Sequence, residues 1–158
     1  MSTAAETAFE TFQARVGQAD GAGDWFEVTQ DQINQFADVT RDHQFIHVDE
    51  EAAKAGPFGT TIAHGFLTLS MLTHLAASVP QDSDTMQGVI MGVNYGFDKV
   101  RFISPVPSGS RIRAASELKD VQLKDPDTIQ VTRTYTIEVE GNDKPAVVAD
   151  WITRLTYS

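Results

Sequence analysis

The chain has 158 residues, 41% of them hydrophobic and 22% charged, with no cysteine and a formal net charge of −10. This composition suits one globular domain over residues 1–158, and it excludes disulfides, thiolate metal ligands, iron–sulfur clusters and a cysteine nucleophile. The excess of acid, 22 Asp and Glu against 12 Lys and Arg, repels the phosphates of nucleic acids and of anionic lipids, so neither nucleic acid nor a membrane surface is expected as a partner.

The N-terminal stretch MSTAAETAFETFQARVGQAD places an acid where a signal peptide needs bases and has no continuous apolar run, so a cytoplasmic location is expected. Residues 4 to 18 have helical composition, with Phe9, Phe12 and Val16 spaced to share one face, and DGAGD at 20 to 24 ends the segment. WFEV reads as a short strand. In TQDQINQFADVT, Thr29 followed three residues later by Gln32 forms a capping box, while Ile33, Phe36 and Ala37 form an apolar stripe. That helix ends near Thr40.

Asp49 caps a further short helix through EEAAKA, and GPFGTT must be a loop. From Ala55 to Gln81 no residue carries a formal charge apart from any protonated histidine, but Gly56, Pro57 and Gly59 fill the first third. The apolar remainder, Phe66 to Val79, is shorter than the roughly 20 residues a membrane span needs. It reads as a buried helix, hydrophobic nearly all round, beginning near Ala63 to Gly65 and stopped by Pro80. His74 reads as a satisfied core histidine.

The second half changes to period two. QGVIMGVNYGFDKVRFISPV and SRIRAASELKDVQL read as long strands joined by a turn at SPVPSGS, and TIQVTRTYTIEVE and PAVVADWITRLTY as a hairpin turned at EGNDKP. Arg133 interrupts an otherwise apolar inward face. The expected fold is α+β, a curved antiparallel sheet wrapped around the central apolar helix.

Chemistry concentrates in residues 41 to 72, RDHQFIHVDEEAAKAGPFGTTIAHGFLTLSML. Asp42 and His47 are five residues apart, about 140° on a helix and opposite faces on a strand, so only a turn lets them converge. A carboxylate and an imidazole facing one water form an acid/base pair; the plain alternative is an N-cap aspartate beside a partly buried histidine. Gly65 opens the apolar helix, where unpaired N–H groups can hold an oxyanion, or where a glycine simply allows close packing. A metal reading would use His43 and His47, four apart, with Asp42, Asp49, Glu50 and Glu51 nearby. Against it, HQFIH follows a helix end and is poorly suited to a helical ligand pair.

ADVTRDHQFIHVDEEAAKAGPFGTTIAHGFLTLSML resembles the hydratase-2 motif of the MaoC-like dehydratases, the (R)-specific enoyl-CoA hydratases of hot-dog fold. The family pattern is close to D-x-N-P-[LIV]-H followed by an apolar helix opening in H-G. Asp42, Ile46, His47, His64 and Gly65 match. Arg41, Gln44 and Phe45 depart from it and resemble the nodulation-protein-N-like branch.

The resemblance implies reversible hydration of trans-2-enoyl-CoA to (R)-3-hydroxyacyl-CoA, with Asp42 and His47 as acid/base pair and the Gly65 N–H as oxyanion donor. Thr73, Lys99 and Arg101 are the expected substrate contacts, Lys99 and Arg101 forming with Arg111 and Arg113 a basic cluster around SPVPSGS. Those four residues read equally well as a solvated strand face. The implied substrate is a thioester of coenzyme A or an acyl carrier protein, with no other cofactor and no metal, and the implied assembly is a homodimer with a sheet continuous across it. A thioesterase of the same fold and a non-catalytic acyl-thioester binding module are the alternatives.

Overall fold

A computed structural model describes all 158 residues. Helix α1 (Ala4–Arg15) begins at a capping box in which Thr3 accepts from the Glu6 N–H and Glu6 accepts from the Thr3 N–H. It stops three residues before the expected end. Val16 leaves helical geometry and is exposed, and Gly17 turns the chain with φ +87°. DGAGD is more than a breaker, because β1 (Ala19–Ala22) takes in its first three residues, pairing with β4 (Arg111–Asp125) across an irregularity that Gly21 permits with φ +109°. The WFEV strand shrinks to β2 (Phe26–Glu27), also paired with β4.

Helix α2 (Gln30–Thr40) carries the Thr29/Gln32 capping box and buries Ile33 and Ala37. Two short helices follow, α3 (Phe45–Val48) and α4 (Glu50–Lys54), the second capped by the Asp49 side chain. The apolar helix is segmented into α5 (Gly65–Ser70), α6 (Leu72–Leu75) and a 3₁₀ turn (Ala76–Ser78), with Met71 at the joint still helical (φ −66°, ψ −12°). It is not buried all round. Leu67, Leu72, Leu75 and Ala76 enter the core, while Phe66, Ser70, Thr73 and Ala77 face outward. His74 is also exposed and packs edge-on against Phe26, so the core-histidine expectation fails. No helix is long and apolar enough to cross a membrane.

A short α7 (Ser83–Met86) precedes three further long strands, β3 (Val89–Phe102), β5 (Thr128–Val139) and β6 (Val147–Tyr157). The antiparallel order is β1-β4-β5-β6-β3. SPVPSGS is therefore not a hairpin turn: β6 and β5 lie between β3 and β4, three strand spacings or about 14 Å. Segment 104–110 crosses over instead, and its backbone bonds to the chain just before α5, Ala63 N–H to Val106 O at 2.8 Å and Ser108 N–H to Thr61 O at 2.9 Å. The basic cluster expected there separates accordingly, with Arg111 paired to Glu140 and Arg113 to Glu138.

One face of the sheet is covered twice. The central helix and Ile33 pack on Ile112, Tyr135, Ile137 and Val147, and α1 packs on Leu118, Ile129, Val131 and Tyr157. Arg133 lies on this same inner face and meets Asp20 at 3.1 Å, and Asp20 also accepts from Ser116. The break in the apolar pattern is thus a paired, hydrogen-bonded charge, the form in which burial is tolerated.

Candidate active site

The sequence builds the site at the end of α2. Arg41 is left-handed (φ 64°, ψ 22°) and ends the helix without glycine. The chain then turns through Asp42, whose Oδ1 accepts from the Gln44 N–H at 3.3 Å, and α3 begins at Phe45 with His47 on its buried side. That turn overcomes the unfavourable five-residue spacing. His47 Nε2 and Asp42 Oδ2 lie 4.0 Å apart, His47 being 7% exposed and the Asp42 side chain 53%.

His47 Nδ1 is 2.7 Å from the carbonyl oxygen of Ile62. A carbonyl only accepts, so Nδ1 carries the proton, and in neutral His47 the bare lone pair is on Nε2, facing Asp42. The 4.0 Å separation is too long for a direct hydrogen bond but matches a water about 2.8 Å from each group, with an angle near 90° at its oxygen.

Segment 61–64 is the other wall. The Ile62 N–H donates to Ile46 O at 2.9 Å, which ties the segment to α3. Gln30 joins α2 to both, donating to the His47 carbonyl at 2.7 Å and accepting from the Thr61 hydroxyl. Sequence reasoning missed Gln30, because a glutamine on the first turn of a helix carries no signal for a contact 17 or 31 residues away.

His64 lies beneath the pair, 3% exposed, with its ring stacked on that of His47 at 3.9 Å and 24° and its Nε2 3.0 Å from the Asp42 carbonyl oxygen. Burial pushes its pKa below the ordinary histidine value, against the hydrogen bond to Asp42, which raises it. His43, the other half of the expected metal pair, is turned away and pairs with Asp38 at 2.8 Å. Asp42, His47 and His64 bring ligand atoms within 4.8 Å of one another. However, an ion lies in the plane of each ligating ring about 2.1 Å from its nitrogen, and the planes of two stacked rings with centroids 3.9 Å apart and inclined by 24° meet well beyond that reach. The trio does not fit a metal as placed.

Gly65 begins α5 beside this group, so its N–H is among the first-turn donors without an intrahelical partner. Together with His47, Phe58, Thr68, Phe102 and Val147 it lines a cavity of about 290 Å³. Lys99 and Arg101 precede Phe102 on β3, exposed and outside every ion pair of the chain. Thr73 is not brought to the pair: it lines a separate cavity of about 410 Å³ with Ala77, Val93, Tyr135 and Trp151.

The family model described as a MaoC like domain matches residues 11–141. The 3-hydroxyacyl-thioester dehydratase Z of Mycobacterium tuberculosis is 52% identical over 141 residues, 89% of this chain and 91% of that protein. Nodulation protein N of Rhizobium leguminosarum bv. viciae is 45% identical over 146 residues, 91% of this chain and 88% of that one. Among solved structures, the (R)-hydratase from A. caviae involved in PHA biosynthesis superimposes with a TM-score of 0.68 at 22% identity, covering 87% of this chain and 94% of that chain. At that identity the likeness is one of fold.

Proposed function

This chain belongs to the MaoC-like dehydratase family and has its hot-dog fold, and from that premise we propose that it hydrates trans-2-enoyl thioesters reversibly to (R)-3-hydroxyacyl thioesters. The observation that carries the reading is the water-sized gap between Asp42 and His47. Both groups accept, so a water in the gap directs one hydrogen to each and its oxygen lone pair to the cavity. As that oxygen bonds to C3, the pair takes one proton from the water; as the enolate collapses, the pair returns one proton to C2. Charge that builds on the thioester oxygen is met by the Gly65 N–H, a donor of a kind worth roughly 3 kcal/mol in a transition state.

No step in this scheme calls for a metal or a redox group. The unpaired cations Lys99 and Arg101, at the cavity end of β3, support a role in anchoring the phosphates of coenzyme A or of a carrier-protein prosthetic group. The homodimer belongs to the same proposal. β3 is an edge strand of 14 residues exposing Ile90, Met91, Val93 and Tyr95, a surface that pairs with a second copy or else aggregates. Thr73 lines the cavity beside Gly92, Val93 and Asn94 of that edge strand, away from the Asp42–His47 pair.

The test is to offer crotonyl-CoA. Loss of enoyl absorbance without release of thiol is the expected result. Thiol release would instead support the thioesterase alternative, and neither change would leave a binding module.

A further inference from the structure

His64 departs from local rules in two ways. It occupies the N-cap position of α5, where a side chain ordinarily accepts from a first-turn N–H, yet it makes no such bond. Its Nε2 must carry the proton, because it faces the Asp42 carbonyl, and this leaves Nδ1 as a bare lone pair, buried and without a partner. Both features disfavour the fold locally. Such departures are expected where a residue serves a site rather than its own element.

Besides packing against Phe36, the ring makes two contacts that lead to the reacting pair. The hydrogen bond holds the peptide carbonyl of Asp42, one residue's torsions from the carboxylate, and the stack holds the plane of His47, whose Nδ1–H must point at Ile62 O for Nε2 to face Asp42. We infer that His64 is a positioning residue for the hydration chemistry, a neutral imidazole that anchors Asp42 through its backbone and shelves the ring of His47, so setting the 4.0 Å gap in which the water is activated.

The same geometry requires the ring to stay uncharged. A second proton on Nδ1 finds no acceptor, and a cation there, in a ring whose centroid is 3.9 Å from that of His47, would oppose any transfer of the water's proton to His47. The titratable groups that act on His64 are Asp42 and His47 and, more weakly, His43, which is turned toward Asp38; α2 contributes the ring of Phe36. Burial, which pushes His64 down, acts in the required direction.

The inference rests on the hydration reading, and its test keeps the two apart. In the full chain, His64→Phe keeps an aromatic shelf and removes the donor, whereas His64→Gln keeps an N–H donor and removes the shelf. Each folded variant should lose about tenfold or more in kcat for crotonyl-CoA with KM little changed, the response of a displaced catalytic group. The acid limb of its pH profile should move as well. Without substrate, nitrogen NMR of the His47 ring should show Nδ1–H in the wild type and a changed tautomer balance or titration in both variants. Unchanged kcat, pH profile and His47 spectrum would overturn the inference. So would losses that merely follow a lowered melting temperature while His47 titrates as before. If the wild type fails to hydrate crotonyl-CoA, the functional reading falls, and the His47 spectra still decide whether His64 positions that ring.

Discussion

The ring of Phe102 fills the space that a side chain on Gly65 would need: a Cβ built there lies 2.8 Å from Cδ1 and 3.0 Å from Cε1. Glycine at the helix opening is therefore demanded by the end of β3, in addition to any close approach by a thioester. Gly65→Val should destabilise by about 1 to 3 kcal/mol, the range for overpacking, well above the few tenths from helix propensity. In the double variant Gly65→Ala with Phe102→Ala the overpacking part of the loss should be absent. Thermal denaturation checks both, and a Gly65→Val protein with wild-type melting temperature and turnover would show that Phe102 moves aside freely and that the oxyanion is held elsewhere.

Asp42→Asn and His47→Gln should each lower kcat by roughly 100-fold or more, the scale of positioned acid/base catalysis. Asp42 is half exposed, so its variant should melt near the wild type, whereas His47→Gln disturbs the buried bond to Ile62 and should melt lower. Steady-state hydration assays beside melting curves separate the effects. Near-normal turnover in either folded variant removes that residue from the mechanism.

Exhaustive chelation should leave turnover unchanged, because the stacked rings of His47 and His64 do not converge on one ion. Activity lost with EDTA and restored by zinc or iron would show that these rings rearrange around a metal.

A lysine at Met91 or Val93 should shift the protein from dimer to monomer in sedimentation equilibrium, since both sit exposed on the β3 edge and charge on an edge strand opposes pairing. A wild type that sediments as a monomer at micromolar concentration refutes the homodimer.

Asp150 gives a stability signature that depends on pH. It is 5% exposed, and burial alone would raise its pKa, but hydrogen bonds from Lys119 and Thr134 together with the charges of Lys119 and Lys99 outweigh burial and hold the carboxyl below its ordinary range. A lowered folded-state pKa stabilises the fold above the unfolded carboxylate range, and that stability is lost as pH falls through the folded value. Asp150→Asn should therefore unfold more easily at neutral pH, by roughly 1 to 3 kcal/mol, with the difference closing below the ordinary aspartate range. Denaturant titrations at neutral and acid pH check it; a gap that stays constant would mean that shape rather than charge holds this position.

Periodicity and punctuation carried much of the architecture. The capping box at Thr29, the two-residue alternation in β5 and β6 and the Pro80 stop are local signals, readable because each rests on contacts within a few residues. The pairing of Asp42 with His47 was legible only through the motif resemblance, since their spacing opposes it on any regular element.

Long-range placement was decided by the tertiary structure. Strand order is one case: β3 and β4 are consecutive in the chain, yet pairing β3 with β6 leaves them on opposite sides of a four-strand array and separates Arg101 from Arg111. Position along the chain does not encode which strand edge closes the sheet. The choice between His43 and His64 as the neighbour of His47 was likewise out of reach, because a left-handed turn at Arg41 sends His43 to Asp38 while segment 61–64, backed by the 104–110 crossover, brings in a ring from 17 residues further on. Local sequence determined most of the elements, and the motif singled out Asp42 and His47; only packing between distant segments decided which ring and which carbonyl would lie against them.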